Sequence, residues 1–210
     1  MDRIQRYIKY RNLGMNLTAE ILDKYVNKDI LEGAAELLGI LGKGNTLVYQ
    51  IEEDANVLMD FILNDYKVNG TTIINIYTKN VGGKNEIENE ILDALTSSYT
   101  SLFEVTSTFE EESVTILNDI INKKNNIELT DISLSISAVP DILIFFRIMP
   151  FEFFNITTGV GFTFPADKKT FLLSRYKAKR KKFKSSDEAI KRFVLFFKLK
   201  NQYGMDFGYI

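Results

Sequence analysis

The stretch "SLFEVTSTF" at residues 101–109 alternates apolar with polar residues, and "SVTIL" (113–117), "NIELTD" (126–131) and "ISLSIS" (132–137) continue the pattern. A period of two is that of half-exposed strands. With "EEE" and "NKKNN" as turns between them, these segments predict antiparallel strands from Tyr99 onward. "DILIFFRIM" (141–149) is apolar at both parities, as a strand covered on both faces would be, and "FEFFNITTGVGFTF" (151–164) supplies one or two more. Residues 99–166 therefore read as a β-rich region of five to seven strands, a sheet or a small barrel.

On the N-terminal side the period is helical. "TAEILDKYV" (18–26) and "KDILEGAAELLGIL" (28–41) flank Asn27, a good cap residue, and Ile30, Ala34, Leu37, Leu38 and Leu41 share one face. "TLVYQI" (46–51) reads as a short strand, and "EEDANVLMDFILNDY" (52–66) as a helix with acids at its positive end. "TTIINIYT" (71–78) has strand propensity but helical spacing of Ile73, Ile74 and Tyr77, so both states stay open. Asn85 caps a further helix over 85–98. Residues 1–98 form a mainly helical region.

After Pro165 the helical period returns. Asp167 is the expected cap for a helix over 168–184, and Ser185 or Ser186 for one over 187–201. The whole is α+β: an N-terminal helical region (1–98), a central antiparallel sheet or small barrel (99–166) and two basic C-terminal helices (167–210), packed as one or two compact units.

Composition narrows the chemistry. The chain has 210 residues, no Cys and no His. Disulfides, thiolate nucleophiles and thiolate zinc sites are excluded, and the absence of Cys fits a reducing cytoplasmic setting. Without imidazole, Ser-His-Asp, Cys-His and histidine-ligated metal mechanisms fall too. No cofactor or metal centre is expected, and a binding role outranks an enzymatic one. The start "MDRIQRYIKYR" lacks an apolar h-region, an argument against a signal peptide, and the longest apolar runs, "ILIFF" (142–146) and "FVLFF" (193–197), are too short to span a bilayer.

The net charge of −2 hides two poles: residues 1–167 hold 13 basic and 25 acidic side chains, residues 168–210 hold 13 and 3. The basic pole peaks in "SRYKAKRKKFK" (174–184), seven cations in eleven residues. On a helical wheel Leu172, Tyr176 and Phe183 form an apolar line about 40° wide, so the segment stands out from the body beyond Tyr176. Ile190, Phe193, Val194 and Phe197 span about 100°, a proper core face that holds the basic segment in place.

These features predict a binding surface of Arg175, Tyr176, Lys177, Lys179, Arg180, Lys181, Lys182, Phe183 and Lys184, contacting nucleic acid or an acidic protein partner. Phe171, Tyr176 and Phe183 are positioned to stack on unpaired bases. The plainer alternatives are a solvated surface, or docking of the basic end on the acidic part of its own chain or of a second copy. The last makes the protein structural or self-associating.

The enzymatic alternative is a metal-dependent nuclease of the PD-(D/E)xK type, with Asp141 and Asp167 on the metal and Lys169 orienting water. Chance supplies about 2.5 acid-x-Lys matches among 28 acids and 19 Lys, and Asp65-Tyr66-Lys67 is another. The glycine loops "GILGKGNT" (39–46) and "VGGKNE" (81–86) complete no phosphate-binding motif and read as a helix end and a turn. A helix-turn-helix over 18–41 fails on charge, since Asp29, Glu32 and Glu36 face DNA against Lys28 alone. Glu52, Glu53 and Asp54 read as a helix start, and Arg147, amid apolar residues, requires a partner or an exit to water. The terminal "NQYGMDFGYI", aromatic at Tyr203, Phe207 and Tyr209, reads as a last strand or a docking peptide.

Overall fold

The computed structural model describes residues 2–205 and divides the chain into two compact units. One is Ile8–Ser98; the other takes the described residues up to Tyr7 and from Tyr99 onward. Among the described residues no helix is long and apolar enough to cross a membrane.

The first unit is helical because its caps and apolar spacing agree. Helix α1 runs Arg3–Tyr25, from Ile8 onward within this unit, and α2 Lys28–Leu38. The Asn27 side chain accepts from the Ile30 N–H at 3.0 Å, and Gly39, at φ 81°, ends α2 by donating to the Ala35 and Glu36 carbonyls. The strand expected at 46–51 does not form. A 3₁₀ turn at Lys43–Asn45 folds the segment back instead, leaving a single bridge between Leu41 and Leu47. Lacking a ladder partner, Val48, Tyr49 and Ile51 remain exposed.

Helix α3 (Asp54–Asn64) starts where the acids predict, and buried Asp54 accepts the Gln50 N–H at 2.9 Å, closing the loop before it. The ambiguous 71–78 segment splits. Strands β1 (Lys67–Val68) and β2 (Thr71–Thr72) form a two-residue hairpin around Asn69 and Gly70, both at positive φ, and α4 (Ile73–Asn80) follows at once. Burial of Ile73, Ile74 and Tyr77 on one helical face overrides β propensity. Helix α5 (Glu86–Thr96) is capped by Asn85 as predicted.

The second unit is built on five antiparallel strands: β3 (Tyr99–Phe109), β4 (Val114–Asp119), β5 (Lys124–Thr130), β6 (Leu143–Pro150) and β7 (Asn155–Phe164), in the order β5-β4-β3-β6-β7. Segment 151–164 thus yields one strand. The sheet is not a closed barrel. Its edge strands approach where the Asn155 amide donates to the Glu128 carbonyl at 2.8 Å, a side-chain bond rather than a ladder.

"ISLSIS" is not a strand but helix α6 (Ile132–Ser137). The Asp131 carboxylate accepts from the Leu134 N–H at 2.9 Å and nucleates the turn, and Ser135 and Ser137 bond back to carbonyls within it. A helical period then turns Leu134 and Ala138 into the core and leaves Ile136 60% exposed. Sequence alternation cannot separate these states in a segment so short.

The sheet has two dry faces, which explains β6. Phe103, Val105, Leu117, Ile144, Phe146 and Ile148 pack with Leu134 and Ile142 in one cluster. Phe145, of opposite parity, stacks at 4.4 Å on Phe196. Arg147 lies opposite Thr100, 2% exposed and partnered there.

Candidate functional site

The basic segment lies on a helical hairpin that follows β7. After Pro165 come a 3₁₀ turn (Ala166–Lys168), α7 (Lys169–Arg180) and α8 (Glu188–Tyr203). Three contacts set the pair antiparallel: Phe171 against Tyr203 at 4.9 Å, Tyr176 against Phe196 at 5.3 Å, and Arg180 on Glu188. The face of α8 is apolar enough to bury Ile190, Phe193, Val194 and Phe197, as the wheel predicts, and Leu195, Phe196 and Leu199 as well.

Two details of this hairpin differ from the sequence reading. Helix α7 stops at Arg180 instead of running to 184, because like charges accumulate beyond Tyr176 and the one large apolar side chain left, Phe183, is half-buried from the loop. Its start is not capped by Asp167, whose carboxylate instead pairs with Lys168 at 3.1 Å. The cap of α8 is Asp187, accepting from Ala189 and Ile190 N–H groups at 2.9 and 3.1 Å; Ser185 only supports it, accepting from the Asp187 N–H. A carboxylate at a positive helix end outbids a hydroxyl there.

Of the nine residues expected to bind, six cations stand in solvent, Arg180 and the five Arg175, Lys177, Lys181, Lys182 and Lys184. Among the described residues none of these five has a carboxylate within ion-pair distance; the Arg175 guanidinium lies 5.2 Å from the centre of the Phe171 ring. Arg180 is held by Glu188, which also accepts from Lys191 at 2.9 Å. Hydrogen bonds from Lys191 and then Arg180 keep the Glu188 carboxyl below its usual range. Half-buried Lys179 has a second cation near it, Lys198 of α8, whose ammonium pKa is pushed down by burial and then by Lys179. Positive charge is concentrated there beyond what local acids neutralise.

The aromatic members do not join the surface. Tyr176 is 4% exposed beneath α7, and Phe183 is half-buried in the loop after it. The Tyr176 placement follows from the thin apolar line, in which it is the neighbour of fully buried Leu172.

The three nuclease candidates occupy separate settings. Asp141 is exposed in the turn before β6, at φ 69°, its N–H donating to the Val105 carbonyl. Asp167 sits in the 3₁₀ turn, paired to Lys168. The Lys169 ammonium is held by both oxygens of Glu104, at 2.7 and 2.8 Å. Among the described residues no hydrogen bond or ion pair joins the three, and no group of three or more carboxylates is gathered to hold a metal ion.

A polar cluster that sequence reasoning missed lies at one end of β3. The Asp119 carboxylate, 1% exposed, accepts from the Ser101 hydroxyl and from the backbone and side-chain amides of Asn122 at 2.9 and 2.8 Å. Burial, then the Asp119 charge and a hydrogen bond to it, raise the Tyr99 hydroxyl to about 12. Nearby, Arg192 of α8 donates to the Thr100 carbonyl at 2.6 Å. With its carboxylate fully engaged and Ser101 wholly buried, the cluster pins the β4–β5 turn to the sheet, and the Arg192 bond ties α8 to β3 beside it. No sequence signal predicts it, since only strand register brings 99, 101, 119 and 122 together.

An α+β sheet unit with an α7–α8 hairpin, cationic on its outer helix, is thus the class that fold and site define. The chain belongs to a family of unknown function, DUF7986, whose model matches residues 1–210. Comparison with curated proteins and with solved structures found no match.

Proposed function

We propose that the protein is a non-catalytic nucleic-acid-binding protein that contacts phosphates through the exposed cations of α7 and the loop after it. One observation carries this reading: Arg175, Lys177, Lys181, Lys182 and Lys184 are all exposed and without acidic partners among the described residues. Unneutralised clustered cations gain free energy by releasing the counterions condensed on a nucleic acid. The nuclease pattern gains no comparable support, because the lysine it needs is already neutralised by Glu104.

The test is the salt dependence of binding to a labelled duplex DNA, followed by fluorescence anisotropy. If all five cations engage, the slope of log K against log salt is about −4.5, a loss on the order of 500-fold between 50 and 200 mM. The variant K177Q/K181Q/K182Q/K184Q lowers the slope to about −0.9 and leaves the melting profile in place. Absence of binding at 50 mM salt by folded protein overturns the proposal.

A further inference from the structure

We infer that this surface reads phosphates and not bases, so that its preferred target is double-stranded nucleic acid without regard to sequence. The inference rests on the nucleic-acid reading and names the form of its ligand. Proteins that prefer single strands offer exposed rings, each stacked base adding about 5- to 150-fold in affinity. The rings of this segment are already spent on the protein. Tyr176 is covered by α8 and packs on Phe196, while Phe171 has Tyr203 against it at 4.9 Å and the Arg175 guanidinium near it at 5.2 Å. Phe171 and Phe183 keep partial exposure, and Phe171 has those two groups against it.

What α7 turns to solvent is different in kind. At about 100° per residue, Ser174 and Ala178 lie opposite buried Tyr176, with Arg175 and Lys177 on the two flanks. Both crest residues are exposed. Small side chains between two flanking cations let the helix approach a phosphate backbone closely and offer neither a stacking plane nor an amide fork for a base edge. The three loop lysines extend the same chemistry, as flexible point charges without bidentate geometry. Affinity then follows phosphate density. A duplex presents one phosphate per roughly 1.7 Å of axis, and each contact contributes a steeper salt slope on duplex than on single strands, about 0.9 against 0.7.

The test compares, in 50 mM salt and by anisotropy, two 20-base-pair DNA duplexes of unrelated sequence with a 20-nucleotide oligo-dT. The expected result is a duplex affinity at least 5-fold above that of oligo-dT, the two duplexes within 2-fold of each other, and no change beyond 2-fold in Phe183→Leu. Tighter binding of oligo-dT than of duplex overturns the inference and leaves nucleic-acid binding standing. So does a tenfold preference between duplexes, or a tenfold loss in Phe183→Leu with an unchanged melting profile. Failure of folded protein to bind any of the three overturns the nucleic-acid reading itself, and the two failures are thereby told apart.

Discussion

Helices α7 and α8 lie side by side, are 12 and 16 residues long, and make opposite use of their side chains. Helix α8 buries seven residues, among them Phe193, Phe196 and Phe197, and fastens the hairpin to the sheet through Phe145 and Phe162. Helix α7 buries two, Leu172 and Tyr176, and carries five cations on the rest of its surface, Lys169, Arg175, Lys177, Lys179 and Arg180. The lesson is a division of labour: an apolar helix supplies the attachment, which allows its neighbour to carry cations that could not sit on a self-supporting core face.

Breaking the attachment has the largest effect. Phe196 is fully buried and touches Phe145, Phe164 and Tyr176, so it links both helices to the sheet. Phe196→Ala destabilises by about 3–5 kcal/mol, read as a drop in the denaturant midpoint. Binding per folded molecule stays as it was. A loss of binding larger than the loss of folded protein would show that α8 does more than hold α7.

Next in size is the α8 cap. Asp187→Ala removes the acceptor for two N–H groups and costs about 1 kcal/mol, whereas Ser186→Ala, an exposed position with no cap bond, changes stability by under about 0.5 kcal/mol. Thermal unfolding of the two variants distinguishes them. Equal losses would return the cap to the serines.

The same contrast explains what was legible in the sequence. Patterns set by one element survive: the alternation at 101–109, the two-sided apolarity around Phe145 and the core face of α8 all reflect a side-chain period. Asn27 and Asn85 are readable because a cap bonds its own helix. Segment 132–137 misleads because Asp131, outside the alternating letters, supplies the acceptor that starts a helix. The Asp119 cluster is silent because register, a property of two strands at once, assembles it. For the candidate surface the charges are legible, and the ends of α7 are not: whether like charges fray the helix at 180 or at 184 depends on how far α8 covers it.

The smallest expected effect bears most directly on how α7 is charged. Glu188 is the one acid described on the hairpin beside the Asp187 cap, and it engages Arg180 and Lys191. Both partners are on or near the surface, with side-chain exposure of 48% for Arg180 and 45% for Glu188, so the pair is screened and adds under about 1 kcal/mol to stability. Glu188→Gln therefore leaves the unfolding midpoint nearly in place. It removes a negative charge from the edge of the cationic surface and releases the Arg180 guanidinium, so duplex affinity at 50 mM salt rises by about threefold and the salt slope steepens by about 0.9. Acid below the usual carboxylate range reproduces the effect. Lys191 and Arg180 hold the Glu188 carboxyl below its usual range, so its contribution to stability is complete above the unfolded-state value and is lost only as pH falls through the lower folded value. The expected signature is a rise in affinity, as pH falls through the lowered Glu188 value, that is larger in the wild type than in Glu188→Gln. An unchanged salt slope in the variant at neutral pH would mean that Arg180 stays off the ligand, leaving the five cations without acidic partners as the whole of the surface.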